Sequence, residues 1–104
     1  MVDDGEWTAV TKHRSRFAIW MDEYQWAYTH AAFVNGQACP NCGLKSLRLI
    51  FVVDEPIAQS GTAAFWCDSC LHGIGPLRAP VAVDGERVLR GTEVIPNYTL
   101  VIEE

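Results

Sequence analysis

The 104-residue sequence contains no hydrophobic stretch long enough to cross a bilayer. No uninterrupted apolar run is longer than Leu49–Val53. Its acidic N-terminus (Met-Val-Asp-Asp-Gly-Glu) has neither the basic residues nor the apolar segment of a secretory signal. The sequence therefore predicts a small soluble domain in the cytoplasm, without a membrane partner. In that reducing compartment, paired cysteines favour metal binding over disulfides.

Basic charge is also scarce. The chain carries 8 lysines and arginines against 13 acidic residues, for a net charge of −5. Acidic residues equal or outnumber basic ones in each of the ranges 1–38, 39–80 and 81–104. Nucleic-acid binding depends largely on neutralising phosphates, so this balance disfavours a nucleic-acid partner. It favours another protein as partner, with a basic surface as the best match.

The patterns of common active sites are missing. No serine or cysteine stands out as a nucleophile beside a base, and the His-x-Glu that base deaminases require does not occur. There is no internal repeat or low-complexity tract. The length predicts a single domain over 1–104, with an N-terminal arm and helix (1–36), a cysteine-bounded middle (37–80) and a C-terminal hairpin with strands (81–104). We expect a non-enzymatic protein.

An amphipathic pattern predicts a helix within residues 17–34. Its apolar and aromatic stripe consists of Phe17, Trp20, Met21, Tyr24, Ala27, Tyr28, Ala31 and Val34. Asn35-Gly36 is a typical helix end. Two starts fit the sequence. Asp22 can open a capping box with Gln25, with Trp26 as its hydrophobic staple and 16–20 as a short strand, or Ser15 can cap one longer helix.

Two strands are predicted in the middle region. Lys45–Val53 is rich in β-branched and aromatic residues, and Gly61–Cys67 is expected to return beside it. The first strand is apolar on both faces, so both need cover. The helix stripe is expected to lie over Ile50 and Val52. Farther along, the predictions are a hairpin of Pro80–Val83 and Arg87–Leu89 around an Asp84-Gly85 turn, and a last strand Tyr98–Ile102.

The four cysteines carry the clearest chemical signal. Cys39-Pro-Asn-Cys42 and Cys67-Asp-Ser-Cys70 are two C-x₂-C pairs, and no cysteine is left over. Each pair can direct two sulfurs from a tight turn towards one ion, and two such turns supply the tetrahedral thiolate set that zinc prefers. The sequence thus predicts one structural Zn²⁺ bound by Cys39, Cys42, Cys67 and Cys70.

The run Cys-Pro-Asn-Cys-Gly, strand, turn, strand and Cys-Asp-Ser-Cys over residues 37–80 resembles a zinc ribbon. That resemblance implies a ribbon of short antiparallel strands. The N-terminal helix is not part of the pattern, and we expect it to pack on one face of the ribbon, which makes the fold α+β. Among ribbons, the sequence is similar to those of transcript-cleavage elongation factors, where an acidic pair in the hairpin helps to hold a catalytic magnesium. Asp54-Glu55-Pro56 matches those letters, although the same tripeptide is ordinary turn chemistry, and we expect a structural turn here.

The first cysteine pair also resembles the knuckle of rubredoxins, which implies iron and electron transfer as an alternative to zinc. The second pair departs from that family, because Leu71 stands where a glycine is expected. His72 is expected to be a loop residue, with a role as ligand or as donor to a thiolate as the alternative. His30 is expected to be solvated. Trp26, if it is no staple, is an exposed anchor typical of interfaces. The sequence favours an adaptor or protein-interaction module, with a nucleic-acid-binding ribbon, a polymerase-associated factor, an electron carrier and a metal-assisted enzyme as alternatives.

Overall fold

The computed structural model of the chain describes residues 15–92 and 95–102. The predicted N-terminal arm before Ser15 lies outside the described residues. The fold is α+β, as predicted: helix α1 (Arg16–Thr29) and a 3₁₀ helix (Ala31–Gly36) precede a five-stranded sheet. The strands are β1 (Leu47–Val53), β2 (Ser60–Cys67), β3 (His72–Pro80), β4 (Glu86–Leu89) and β5 (Thr99–Leu100). Among the described residues, no helix has the length and apolar content needed to span a membrane.

Ser15 decides where the helix begins. Its backbone is extended, and its Oγ accepts a hydrogen bond from the N–H of Ala18 at 3.1 Å, which is the geometry of an N-cap. The alternative start at Asp22, with a strand before it, is wrong. The α-helix ends before the predicted Gly36, because His30 leaves helical geometry (φ −133°, ψ 46°). The chain continues to Gly36 as the 3₁₀ helix.

The sheet order is β4-β1-β2-β3-β5. Strands β1 and β2 pair antiparallel from Leu47 opposite Cys67 to Val52 opposite Thr62, which confirms the predicted central pair. β3 pairs antiparallel with β2, and the register shifts at Gly75-Pro76, where two residues face one. Such a bulge leaves a place for a proline that a regular ladder would exclude. The glycines and prolines of this segment do not predict a strand.

The predicted C-terminal hairpin is wrong, and the sheet is mixed where the ribbon prediction had only antiparallel strands. β4 pairs in parallel with β1, from Ile50 opposite Glu86 to Val53 opposite Leu89. A two-residue type I′ hairpin needs positive φ at both turn residues, but only Asp84 has it (φ 63°), and Gly85 does not. The last strand is shorter than predicted, and β5 lies parallel to β3.

Both faces of the sheet are covered, as predicted, but the helix covers the opposite face from the one predicted. The α1 residues Trp20, Tyr24 and Ala27 pack with the alternating β1 side chains Leu47, Leu49, Phe51 and Val53. Trp20 contacts Phe65 edge to face, with ring centroids 5.5 Å apart. The helix therefore covers the face opposite to Ile50, which corrects the prediction. Ile50 belongs to a second cluster with Ala64 and Trp66, beneath Val88, Ile95 and Tyr98.

Candidate metal centre

The two cysteine pairs meet at one end of the sheet. Cys39 and Cys42 lie in the loop before β1, Cys67 is the last residue of β2, and Cys70 follows in the turn to β3. The β1–β2 register places Leu47 opposite Cys67, so the loop that enters β1 and the turn that leaves β2 are neighbours. The strand pairing alone thus brings the two C-x₂-C turns together.

The four sulfur atoms form one compact cluster, with every Sγ within 4.8 Å of the others. Cys39 Sγ lies 3.8 Å from Cys70 Sγ, and Cys42 Sγ lies 3.7 Å from Cys67 Sγ. A tetrahedral metal with ligand bonds of about 2.3 Å would hold its sulfurs about 3.8 Å apart. The closest pairs already have that spacing, so the four cysteines are placed to bind a metal ion. They are the only such cluster within the described residues.

Backbone N–H groups point at the buried sulfurs. Asn41 N–H and Cys42 N–H donate to Cys39 Sγ at 3.2 and 3.4 Å, and Ser69 N–H donates to Cys67 Sγ at 3.4 Å. Hydrogen bonds to a charged acceptor stabilise the charged form. The turns are therefore built to carry thiolates, the form in which cysteine binds metals.

The two turns share the same backbone geometry at the residue after each second cysteine. Gly43 N–H donates to Cys39 O, and Leu71 N–H donates to Cys67 O, both at 2.9 Å. Both residues have positive φ, 82° at Gly43 and 55° at Leu71. Leu71, which the sequence analysis counted as a departure from a second knuckle, thus adopts the conformation usually left to glycine.

This geometry gives a first prediction. Replacing Gly43 with alanine will lower the free energy of unfolding by about 1 kcal/mol, because a side chain in the left-handed region crowds the backbone. Within the described part of the chain, no atom lies within 4 Å of the added Cβ, so no packing clash is expected there. Chemical denaturation of the metal-loaded protein measures the change. Gly36→Ala is the matched control, since Gly36 also faces open space but without a positive φ. Equal effects of the two changes would refute this explanation.

The thiols differ in acidity. Burial raises the pKa of the Cys39 thiol to about 12, against the lowering effect of the N–H groups of Cys42 and Asn41. Burial also opposes ionisation of Cys70, but hydrogen bonds from Asn41 and His72 outweigh it and lower the pKa of that thiol to about 6. A metal ion ionises every thiol that it binds. It must therefore displace a strongly held proton from Cys39, so metal affinity will fall as the pH falls.

Two neighbours of Cys70 support it without being ligands. Asn41 Nδ2 donates to Cys70 Sγ at 3.6 Å and so links the first turn to the second. His72 is the first residue of β3, and its Nδ1 lies 2.9 Å from Cys70 O. His72 therefore begins a strand where a loop residue was predicted, and this ring contact is with the carbonyl oxygen of Cys70 and not with its sulfur. Asn41 was not predicted as a site residue. A C-x₂-C motif gives no sign that one of the two residues between its cysteines contacts the other turn.

The acidic pair lies at the opposite end of β1. Asp54 and Glu55 directly follow that strand, far along the sheet from the cysteine end. Asp54 Oδ1 accepts a hydrogen bond from Arg90 Nε at 2.8 Å, and this contact lowers the pKa of the carboxyl. Glu55 O accepts a hydrogen bond from Ala58 N–H within the turn. These contacts are those of a structural turn joined to the end of β4.

A second prediction concerns this pair. Replacing Asp54 and Glu55 together with alanine will leave metal content unchanged and shift the melting temperature by only a few degrees, as is usual for exposed side chains. Differential scanning calorimetry and metal analysis measure both. If the double change instead abolished a stimulation of transcript cleavage by RNA polymerase, the acidic pair would be functional and the structural interpretation would be wrong.

Trp26 and His30 lie on the outer side of the helix. Trp26 is 42% exposed and stacks on the His30 ring, with centroids 4.2 Å apart and planes 13° from parallel. Because α1 begins at Arg16, Trp26 is mid-helix and is no capping staple. His30 is exposed, as predicted. Since Trp26 is not a staple, the alternative prediction applies to it, namely an exposed aromatic residue of the kind typical of interfaces.

Comparisons of the chain with protein-family models, with curated proteins and with solved structures return no significant match.

Proposed function

We propose that this chain is a non-enzymatic zinc-binding module that recognises another protein. The metal part rests on the sulfur cluster: four thiols within 4.8 Å of one another, two pairs of them at tetrahedral spacing, in turns whose N–H groups face the sulfurs. Four soft sulfur ligands leave no open position for substrate or water, which is the arrangement of a structural zinc site. Elemental analysis of the purified protein tests this part, with one zinc per chain expected.

Iron in the same site is the second candidate. It gains support from Leu71, whose left-handed conformation makes the second turn equivalent to the first and removes one difference from rubredoxin knuckles. An iron–thiolate centre would make the protein an electron carrier and give it visible colour. A colourless protein with stoichiometric zinc would exclude this candidate.

The partner-binding part rests on exposed apolar side chains and on the charge balance. Trp26 and Phe33 are 42% and 67% exposed, and tryptophan is a frequent anchor of protein interfaces. α1 and β3 also line an open groove of about 540 Å³, with apolar groups that include Met21, Tyr28 and Leu77. The net charge of −5 favours a partner with a basic rim.

A third prediction tests this surface. Replacing Trp26 and Phe33 with alanine will weaken binding to the native partner, isolated from the source organism on the immobilised domain, by about tenfold or more. Zinc content and melting temperature will change little, because neither side chain is buried. Ile57→Ala is the matched control, since Ile57 is an apolar side chain that is 81% exposed near Asp54. If the control weakens binding as much as the double change, the recognised surface lies elsewhere.

A further inference from the structure

The four cysteines are unequal in access. Cys67 is fully buried and Cys39 is 3% exposed, while Cys70 is half-buried. Cys42 is exposed. An electrophile from solvent therefore meets the sulfur of Cys42 first, because attack requires direct approach to the sulfur atom.

The cysteines are also unequal in hydrogen bonding. Cys39 and Cys67 accept backbone N–H bonds, and Cys70 accepts the Asn41 side-chain amide. Over residues 15–92 and 95–102, Cys42 Sγ accepts no hydrogen bond from an N–H group, and it lies 3.7 Å from the sulfur of Cys67. A metal ion makes all four groups thiolates, so differences in thiol acidity no longer separate them. Access and the donors that hold each thiolate then decide which one reacts.

We propose that Cys42 is an oxidation site for hydroperoxides, with Cys67 as its resolving cysteine. This inference rests on the proposed zinc site and adds a modification to it. Cys67 fits the second role because its sulfur is the close neighbour of Cys42 across the two turns. Disulfide formation at this pair removes two of the four metal ligands, so the ion is released.

The chemistry balances in two displacements. The Cys42 thiolate attacks one peroxide oxygen, the O–O bond breaks, hydroxide leaves and a sulfenic acid forms on Cys42. The Cys67 thiolate then attacks the Cys42 sulfur, the S–O bond breaks and a second hydroxide leaves. The two sulfurs together give up two electrons, which the peroxide accepts. Two solvent protons convert the two hydroxides to water.

The test uses the full chain loaded with zinc and treated with less than one equivalent of hydrogen peroxide. A chromogenic chelator follows zinc release, and peptide mapping after alkylation identifies the first disulfide. We expect Cys42–Cys67 as the first product, one zinc ion released per disulfide, and Cys39 and Cys70 recovered as alkylated thiols. A first product of Cys39–Cys42, Cys67–Cys70 or Cys39–Cys70, or a disulfide formed without zinc release, would overturn the inference.

A variant checks the reason for the selectivity. Asn41→Ala removes the Asn41 amide, one of the donors to Cys70, and will raise the share of early products that contain Cys70. Ser46→Ala is the control, because Ser46 Oγ is bonded to Ser69 Oγ and not to a sulfur, so the product pattern will not change. An unchanged pattern in Asn41→Ala would overturn the hydrogen-bond argument. A chain that binds no zinc would overturn the proposed metal site and this inference together, whereas a loaded chain with another first product overturns the inference alone.

Discussion

Replacing Cys39 or Cys67 with serine will leave the chain unfolded at room temperature. The ligands come together only in the folded chain, so the free energy of metal binding is part of the free energy of folding. For structural zinc that contribution is about 10–16 kcal/mol, as large as the whole stability of a typical domain at about 5–15 kcal/mol. Circular dichroism and a thermal melt of each variant measure the loss.

Ser46→Ala provides the control, since this exposed hydroxyl lies beside the second turn but does not contact a sulfur. It will melt as the unchanged protein does. A strong chelator added to the unchanged protein will reproduce the effect of the cysteine changes without any substitution. A Cys39→Ser protein that keeps the native melting curve would show that the fold does not depend on the metal.

Trp20→Ala will remove about 3–5 kcal/mol of stability, the usual cost of deleting a large buried aromatic ring. Trp20 is fully buried, and its ring lies between α1 and the sheet against Phe65. A chain beginning at Gln37 makes the same point more severely, because it bares Leu49, Phe51 and Phe65 together. We expect that shortened chain to aggregate or to bind a hydrophobic dye even with zinc present.

Trp20→Phe is the matched control for the point change. It keeps an aromatic ring in the site and removes a buried indole N–H that has no hydrogen-bond partner among residues 15–92 and 95–102. Its cost will be well below that of alanine in urea unfolding. A soluble, monomeric chain from Gln37 with a well-dispersed NMR spectrum would contradict this account and make α1 a separate arm.

The central strands could be predicted because the residue types in them indicate both a strand and burial. β1 is β-branched or aromatic over residues 50–53, and its two apolar faces there correctly indicate cover on both sides. The sequence did not show which cover lies on which face. The stripe on α1 fits either face. Of the residues that cover Ile50, Ile95 lies outside any predicted element and Tyr98 only begins the predicted last strand.

The edge strands were less predictable. β3 contains Gly73, Gly75, Pro76 and Pro80, residues that normally argue against a strand, and the bulge that accommodates Pro76 is a tertiary feature. Asp84-Gly85 was predicted to form a hairpin turn, but a glycine is needed at position 85 for a steric reason. A Cβ there would lie 2.9 Å from Phe51 Cε1, so the glycine permits close passage over the core. No local sequence pattern predicts that β4 pairs in parallel with β1.

The cysteine cluster could be predicted from the spacing of the four cysteines in the sequence alone. Each C-x₂-C turn is local, and one antiparallel pair of strands places the turns side by side, so four positions in the sequence define the cluster. The contacts around the cluster could not be predicted in the same way. The reach of Asn41 to Cys70 and the left-handed conformation of Leu71 depend on how the two turns are placed in space. Residue spacing carries no information about either.

X-ray absorption at the metal edge of the purified protein tests the central claim most directly, because one spectrum gives both the element and its ligands. The account predicts zinc with a first shell of four sulfur atoms at about 2.3 Å. Nitrogen or oxygen in that shell, fewer than four sulfurs, or the absence of bound metal would contradict it.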